Sequence, residues 1–159
     1  MKIKVITVGK LKEKYLVEGI KEYAKRLQAY TKLDFIEVSD ESIPDKCSLA
    51  LQENIKSKEG NKILHRIKDD EYVIVLDVQG EMVGSEELSK HLEQCMIQGK
   101  STITFVIGGS LGHAKEILQR ANYQLSFSKM TFSHQLMKLI LMEQIYRAFK
   151  IMKNESYHK

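Results

Sequence analysis

The 159-residue sequence predicts an α/β domain in which helices cover both faces of a mostly parallel sheet. Two observations support this prediction. Short apolar runs alternate strictly with longer segments of helical periodicity, as in successive βαβ units. The run at residues 103–107 contains no charge, which is typical of a strand buried on both faces. The length fits a single domain, residues 1–159, with its own hydrophobic core.

The predicted elements follow from periodicity and from turn residues. Gly60 and Asn61 predict a break or kink in the second helix, since glycine costs ~1 kcal/mol inside a helix. Ser85, followed by two glutamates, is predicted to cap the third helix. Gln79 and Gly80 predict a turn after the third strand. The predicted strands are residues 2–9, 32–38, 72–78, 103–107 and 123–126, and the predicted helices are residues 15–30, 47–67, 85–98, 113–121 and 134–153.

The last predicted helix is apolar around nearly its whole circumference, far beyond the ~100° stripe of an ordinary surface helix. Such a helix must be covered on two sides. The sheet can cover one side, and a second copy of the chain is the expected cover for the other. We therefore predict a two-fold homodimer built on this helix, with a helix buried inside one monomer as the alternative. Its apolar residues are Leu136, Met137, Leu139, Ile140, Leu141, Met142, Ile145, Tyr146, Ala148, Phe149, Ile151 and Met152.

The excess positive charge lies near the C-terminus. The net charge of the chain is +4. Residues 126–159 hold six basic and two acidic side chains, which accounts for all of it. A polyanion such as RNA would therefore meet the protein in this segment, and a solvated helix face is the alternative interpretation.

Other features predict a soluble cytoplasmic protein. The N-terminus lacks a signal-peptide core, and no run approaches the ~18 apolar residues of a membrane span. Cys47 and Cys95 match no metal-ligand or redox spacing, so both are predicted to be free thiols. His65, His91 and His113 are placed on helices without a partner at metal-ligand spacing, so no metal site is predicted.

The strongest candidate site is the glycine-rich turn at residues 108–112, directly after the fourth strand. In open α/β sheets, ligands bind at the carboxyl ends of strands, and glycines let a ligand lie against bare backbone. The first strand is followed by one glycine, Gly9, so the dinucleotide pattern G-x-G-x-x-G is absent. Residues 76–77, 108–109 and 127–132 are expected along one sheet edge, which suits an adenosine-like ligand. A turn that needs glycine only for its shape is the alternative.

Three side chains near this site have two interpretations each. His134 begins the last helix and is predicted to pack or cap there rather than to act as a base. Asp77 is predicted to cap a turn rather than to take part in catalysis. Arg147 could form an i, i+4 ion pair with Glu143 or contact a substrate, and the sequence leaves this open.

Several motifs together resemble the RlmH family of SPOUT methyltransferases. No single motif is specific, but their order, their spacing and the total length agree over essentially the whole chain. The N-terminal segments Val8-Gly9-Lys10 and Glu22-Tyr23-x-x-Arg26-Leu27 are also similar to that family. The other motifs are Leu76-Asp77-x-x-Gly80, Ile107-Gly108-Gly109-x-x-Gly112, Ser128-x-x-Thr131-Phe132-x-His134-Gln135, Glu143-Gln144-x-Tyr146-Arg147-Ala148 and Tyr157-His158.

The resemblance implies a fold, a reaction and partners. The fold would have five or six mostly parallel strands and a C-terminal trefoil knot, in which the last segment threads a loop. The reaction would transfer a methyl group from S-adenosyl-L-methionine to ring nitrogen 3 of a pseudouridine in helix 69 of large-subunit rRNA, within the assembled ribosome. The family acts as a homodimer, in agreement with the apolar last helix. Neither a membrane nor a metal is expected.

The resemblance also implies roles for individual residues. Substrate and catalytic work would fall on Tyr157, His158 and Arg147: stacking on a flipped base, general base, and stabilisation of the developing anion. Ser156 and Lys159 stand where some members carry proline and arginine, which leaves the role of residue 159 open. Cofactor contacts would fall on Leu76, Gly108, Phe127, Ser128, Lys129, Met130, Thr131 and Phe132.

Three other functions fit parts of the pattern. A related SPOUT enzyme could act on a tRNA ribose, although such enzymes usually carry an extra RNA-binding module that this sequence has no residues to build. A non-catalytic ribosome-binding factor could use the same scaffold and would bind no cofactor. A flavodoxin-like phosphate binder would need an anion-binding loop after the first strand, where the chain offers only Gly9 and Lys10.

Overall fold

The computed structural model describes all of residues 1–159. Strands and helices alternate along the chain, as predicted. In order they are β1 (Lys2–Val8), α1 (Lys14–Leu27), β2 (Lys32–Val38), α2 (Leu49–Leu64), β3 (Tyr72–Met82), α3 (Ser85–Ile97), β4 (Thr102–Ile107), α4 (Lys115–Arg120), β5 (Tyr123–Ser126) and α5 (His134–Met152). No helix is long and apolar enough to cross a membrane.

The five strands form one sheet in the order β2-β1-β4-β3-β5. Every neighbouring pair is parallel, which confirms the predicted fold class. This order places β4 and β3 side by side in the middle and β5 at the edge beside β3. Ile107 at the end of β4 and Leu125 near the end of β5 both pair with Leu76 of β3, so these three points lie together.

Helices cover both faces of the sheet. On one face, Val5 and Phe105 belong to a core shared with α1, α3 and α5. On the other face, Ile6 and Val106 pack in a second core with α2 and α4. Successive residues of a strand point to opposite faces, so a strand covered on both sides needs apolar residues throughout. The chargeless run at residues 103–107 is explained in this way.

Helix α5 lies on the sheet between α1 and α3. Seven of its residues are buried, among them Leu141, Ile145 and Phe149. Most of its apolar circumference is thus covered within one chain. Half-buried apolar side chains remain along the helix at Leu136, Met137, Leu139, Ile140, Ile151 and Met152.

Four local predictions differ from the structure. The predicted turn at Gln79 and Gly80 is wrong, because β3 passes a bulge after Leu76 and pairs again with β5 at Glu81. Helix α3 is capped at Gly84 rather than Ser85: the Gly84 N–H donates to the Glu87 carboxylate at 3.2 Å. The predicted break at Gly60 is also wrong. Helix α2 runs unbroken through this residue, where a Cβ would lie 3.1 Å from the Ala114 Cβ and 3.3 Å from the Ile117 side chain of α4.

The fourth difference concerns α4, which begins at Lys115. His113 therefore lies in the connection before the helix and not on it. Ala114 takes the N-cap position in an extended conformation. His113 therefore lies between the glycine-rich turn and the helix.

A buried ion pair lies towards the amino end of the sheet. The Lys4 ammonium donates to the Glu71 carboxylate at 2.8 Å and to the Arg66 carbonyl. The Thr104 hydroxyl donates to the other Glu71 oxygen at 2.8 Å. Arg120 donates to the Glu71 carbonyl, which ties α4 to the same point. Every charged group in this network has a partner inside the chain.

Both cysteines are free, as predicted. Cys95 on α3 is buried, and burial raises the pKa of its thiol. Cys47, in the loop before α2, is half-buried.

Candidate active site

The principal cavity of the molecule opens at the carboxyl ends of β4 and β5 and beside the bulge of β3 that follows Leu76. Its volume is about 440 Å³, within the range of small-molecule sites. The predicted convergence of three sequence-distant segments on one edge is confirmed. The lining comprises residues 76–78, 107–110, 112–113, 125–128 and 130–134, together with Met137.

The glycine turn forms one wall of this cavity. Gly112 has φ +90, a conformation that favours glycine, and its N–H donates to the Gly109 carbonyl at 3.1 Å. A Cβ at Gly108 would lie 3.0 Å from the His113 ring. The turn therefore needs glycine both for its shape and for close contact, and it presents bare backbone to the cavity.

His113 connects this turn to β3. Its Nε2 lies 2.7 Å from the Leu76 carbonyl oxygen, while its Nδ1 is buried without a hydrogen-bond partner. Burial lowers the pKa of His113, so the ring is neutral at neutral pH. The sequence analysis missed this residue, because periodicity assigned it to a helix.

The loop after β5 forms the opposite wall. The Ser126 hydroxyl donates to the Ser128 carbonyl at 2.9 Å, and the Ser128 hydroxyl accepts from the Met130 N–H at 3.0 Å. Of the eight predicted cofactor residues, seven line the cavity: Leu76, Gly108, Phe127, Ser128, Met130, Thr131 and Phe132. Lys129 does not line it.

Two further predicted residues lie at the cavity. Asp77 accepts a hydrogen bond from the Gln79 N–H at 3.2 Å, but the predicted turn that it would cap is absent because β3 continues to Met82. His134 is the first residue of α5 and lines the cavity near Gly9. It does not cap the helix, because the Ser133 hydroxyl accepts from the Leu136 N–H.

The three predicted catalytic residues form a cluster of their own. Arg147 donates to the Glu143 carboxylate at 2.7 Å through Nη2, and its Nη1 lies 3.0 Å from His158 Nδ1. The guanidinium carbon lies 4.7 Å from the centre of the Tyr157 ring. His158 Nε2 lies 3.6 Å from the Glu86 carboxylate. Arg147 thus forms the alternative ion pair and also contacts both tail residues.

Glu143 organises the electrostatics of this cluster. The Tyr157 hydroxyl donates to its carboxylate at 3.1 Å. Burial, with Tyr23 and Glu143 nearby, raises the pKa of Tyr157 to about 12, so the phenol stays neutral. The hydrogen bond from Arg147 to Glu143 raises the pKa of the guanidinium, which stays charged.

The cluster and the cavity are separate within one chain. None of the four clustered residues lines the cavity. Met137 lines it, and Arg147 is ten residues further along α5, about 15 Å at roughly 1.5 Å per residue. No group of three His, Cys, Asp or Glu side chains is arranged to hold a metal ion.

Comparison with known protein families decides the assignment. A family described as "Predicted SPOUT methyltransferase" matches residues 1–158. This chain belongs to the SPOUT methyltransferase family. Membership in this family implies a methyl donor of the S-adenosylmethionine type.

Curated relatives match this SPOUT methyltransferase over its full length. One from Enterococcus faecalis is 58% identical over 159 residues, covering 100% of both chains, and is named ribosomal RNA large subunit methyltransferase H. Relatives with the same name from Clostridium perfringens and Clostridium botulinum are 57% identical over the same span, again covering all of both chains.

Proposed function

We propose that this SPOUT enzyme transfers a methyl group from S-adenosyl-L-methionine to large-subunit rRNA in the cytoplasm. The acceptor is ring nitrogen 3 of a pseudouridine in helix 69 of the assembled ribosome. The observation that carries the proposal is the cavity at the glycine turn, in a chain whose full-length relatives are named rRNA large subunit methyltransferases. All of residues 1–159 act as one domain.

In this proposal the cavity residues hold the methyl donor. Leu76 and Met130 supply apolar walls, Gly108 supplies backbone groups, and the hydroxyls of Ser128 and Thr131 are available as donors and acceptors. Phe127, Lys129 and Phe132 complete the proposed set. Phe127 and Phe132 line the cavity, whereas Lys129 lies between two lining residues without lining it itself. S-adenosyl-L-methionine supplies an electrophilic methyl group on a sulfonium sulfur. The walls orient the donor and exclude water.

The tail residues act on the RNA base. The N3–H proton of the base has to leave before the nitrogen can attack, and His158 is the proposed acceptor of that proton. Nδ1 accepts from Arg147 at 3.0 Å, so the neutral ring carries its hydrogen on Nε2. The imidazole therefore has to release this bond before Nδ1 can take the N3 proton. A released Arg147 keeps its charge and can stabilise the developing anion. Tyr157, a neutral phenol, stacks on the flipped base.

A second copy of the chain completes the site. Because the tail cluster lies about 15 Å along α5 from the cavity lining, it cannot act on a donor bound in the same cavity without a large movement. A two-fold dimer built on the half-buried apolar residues of α5 allows one copy to present its tail to the cavity of the other. The positive charge of residues 126–159 then faces the RNA.

The segment after β5 forms the proposed trefoil knot. In this proposal, the C-terminal chain threads the loop that follows β4, so that residues 127–133 and the glycine turn face each other across the donor. The cavity lined by both segments supports this arrangement.

Mass spectrometry of large-subunit rRNA from a deletion strain tests the function. We expect one methylated pseudouridine to disappear and to return with the intact gene. With purified ribosomes, the His158→Ala variant should transfer the methyl group at least about 100-fold more slowly than wild type, since general bases typically contribute 10²–10⁴-fold in rate. As a matched control, His65→Ala changes an exposed histidine far from the tail and should keep the wild-type rate. An unchanged methylation pattern in the deletion strain would refute the proposal.

A further inference from the structure

The two ring nitrogens of His113 have different surroundings. Nε2 lies 2.7 Å from the Leu76 carbonyl oxygen. Because a carbonyl can only accept, Nε2 carries the hydrogen of the neutral ring. Nδ1 is then the unprotonated nitrogen, with a lone pair that can accept one hydrogen bond.

This lone pair is unsatisfied by the protein. Nδ1 of His113 is the only buried side-chain nitrogen or oxygen of the chain without a hydrogen-bond partner. Folded proteins pair nearly all such atoms, because a buried unpaired acceptor destabilises the fold. An exception in the wall of the main cavity calls for a partner that comes from outside the chain.

The glycine turn determines access to this nitrogen. A Cβ at Gly108 would lie 3.1 Å from Nδ1 and 3.0 Å from the neighbouring ring carbon. The absence of a side chain at Gly108 therefore leaves room for the Nδ1 side of the His113 ring to lie directly against the turn. Both residues line the cavity.

We propose that Nδ1 of His113 accepts a hydrogen bond from the nucleoside part of the methyl donor and makes His113 a specificity-determining residue. The inference rests on the proposed function. The ligand group is a neutral N–H or O–H donor: the 6-amino group of adenine or a ribose hydroxyl. An ammonium group is disfavoured, because burial at this position opposes positive charge. A site built around an acceptor discriminates against analogues that lack the matching donor.

A double-mutant cycle with ligand analogues tests the contact. Wild type and His113→Phe are titrated calorimetrically with S-adenosylhomocysteine and three analogues, in which hydrogen replaces the 6-amino group, the 2′-hydroxyl or the 3′-hydroxyl. We expect wild type to bind one analogue about tenfold more weakly than S-adenosylhomocysteine. His113→Phe should bind that analogue and S-adenosylhomocysteine with equal affinity. That analogue identifies the donor group.

His91→Phe is the matched control. His91 is also partly buried and bonded through Nε2, to the Tyr72 hydroxyl at 2.9 Å, but it lies on α3 outside the cavity. This variant should keep the affinity ratios of wild type. If it loses the same discrimination, the effect belongs to the packing of the fold and the inference is wrong.

A measurement on wild type avoids any dependence on the folding of variants. In protein with ¹⁵N-labelled histidine, the Nδ1 resonance of His113 should move towards that of a hydrogen-bonded nitrogen when S-adenosylhomocysteine is added. An unmoved resonance together with no coupled analogue would overturn the inference and leave the proposed function standing. Absence of any binding by wild type would refute both.

Discussion

Two buried glutamates, one towards each end of the parallel sheet, have opposite surroundings. Glu71, at the amino end, accepts hydrogen bonds from Lys4 and Thr104. Burial alone would raise the pKa of this carboxyl, but these bonds outweigh it and hold the pKa below its ordinary value. Glu59 on α2 lies beneath the glycine turn at the carboxyl end and accepts from the Glu41 N–H at 2.9 Å. Burial raises the pKa of Glu59.

The buried polar groups at the two ends of the sheet differ in how well they are paired. Towards the amino end, the buried polar network is paired within the chain, and this end holds the fold together. At the carboxyl end, a carboxylate is left with an unfavourable charge and His113 with an unpaired nitrogen. The unpaired nitrogen and the raised pKa of Glu59 both cost stability at that end, whereas the network at the amino end is satisfied.

Glu71→Gln should have the largest effect. It removes the charge that pairs Lys4 and leaves a buried ammonium without a counterion, which typically costs about 3–5 kcal/mol. Urea denaturation should show the loss. Asp34→Asn is the control, because the Lys2–Asp34 pair is exposed and should change stability by less than about 1 kcal/mol. Equal losses of stability in the two variants would show that the buried pair stabilises the fold no more than the exposed pair does.

Gly108→Ala should weaken binding and also cost some stability. Its Cβ would lie 3.0 Å from the His113 ring, so the ring or the turn has to shift at the cavity wall. We expect S-adenosylhomocysteine to bind about tenfold more weakly or worse in calorimetry, with a stability loss of about 1–3 kcal/mol in urea denaturation. Gly84→Ala is the matched control, because a Cβ there has only an ordinary contact at 3.5 Å. Unimpaired binding by Gly108→Ala would contradict the proposed position of the donor.

The pH dependence of stability should separate the two glutamates. The folded pKa of Glu71 lies below its ordinary value of 4.5, so its contribution is complete above that value and is lost as pH falls through the folded pKa. Glu59 has a raised pKa, so its protonated form is favoured in the fold and stability falls as pH rises through the folded pKa. Urea denaturation of wild type, Glu71→Gln and Glu59→Gln between pH 3 and 8 gives the free energy of unfolding at each pH. The difference between wild type and each variant is the contribution of that glutamate. Superimposable pH profiles would exclude both assignments.

Glu59→Gln should have a small effect of opposite sign to Glu71→Gln at neutral pH. The amide keeps an oxygen for the Glu41 N–H and removes a buried charge, so stability should stay constant or rise by about 1 kcal/mol. Urea denaturation at pH 7 is the measurement. A loss comparable to that of Glu71→Gln would mean that the charge of Glu59 is needed under the glycine turn.

Lys129→Ala should have the smallest effect. The Lys129 side chain is outside the cavity lining, so the affinity for S-adenosylhomocysteine should change by less than about twofold. Thr131→Ala, which removes a lining hydroxyl two residues away, should weaken binding more in the same titration. The reverse order would indicate that the loop rearranges around the donor.

Much of the scaffold could be predicted because it depends on local chemistry. The chargeless run at residues 103–107 predicts a strand covered on both faces. The glycines at residues 108–112 predict a turn directly after it, which places a site at that edge of the sheet.

The remaining features depend on contacts between distant parts of the chain. β3 continues past Gly80 because β5 pairs with it again at Glu81, a partner more than forty residues away in sequence. His113 is in the cavity because the Leu76 carbonyl accepts from its ring. The distance between the tail cluster and the cavity depends on where α5 begins on the sheet. Periodicity contains none of this information.

The two thiols also differ in a way that experiments can use. Cys95 is buried with a raised pKa, so alkylating reagents reach it slowly, whereas Cys47 is partly accessible in the loop before α2. The unmodified sequence can therefore carry a fluorophore at one defined position. In that loop, the Glu41 N–H donates to Glu59, which lies against Gly109 of the glycine turn. The emission of a fluorophore at Cys47 should therefore respond to structural changes at the turn.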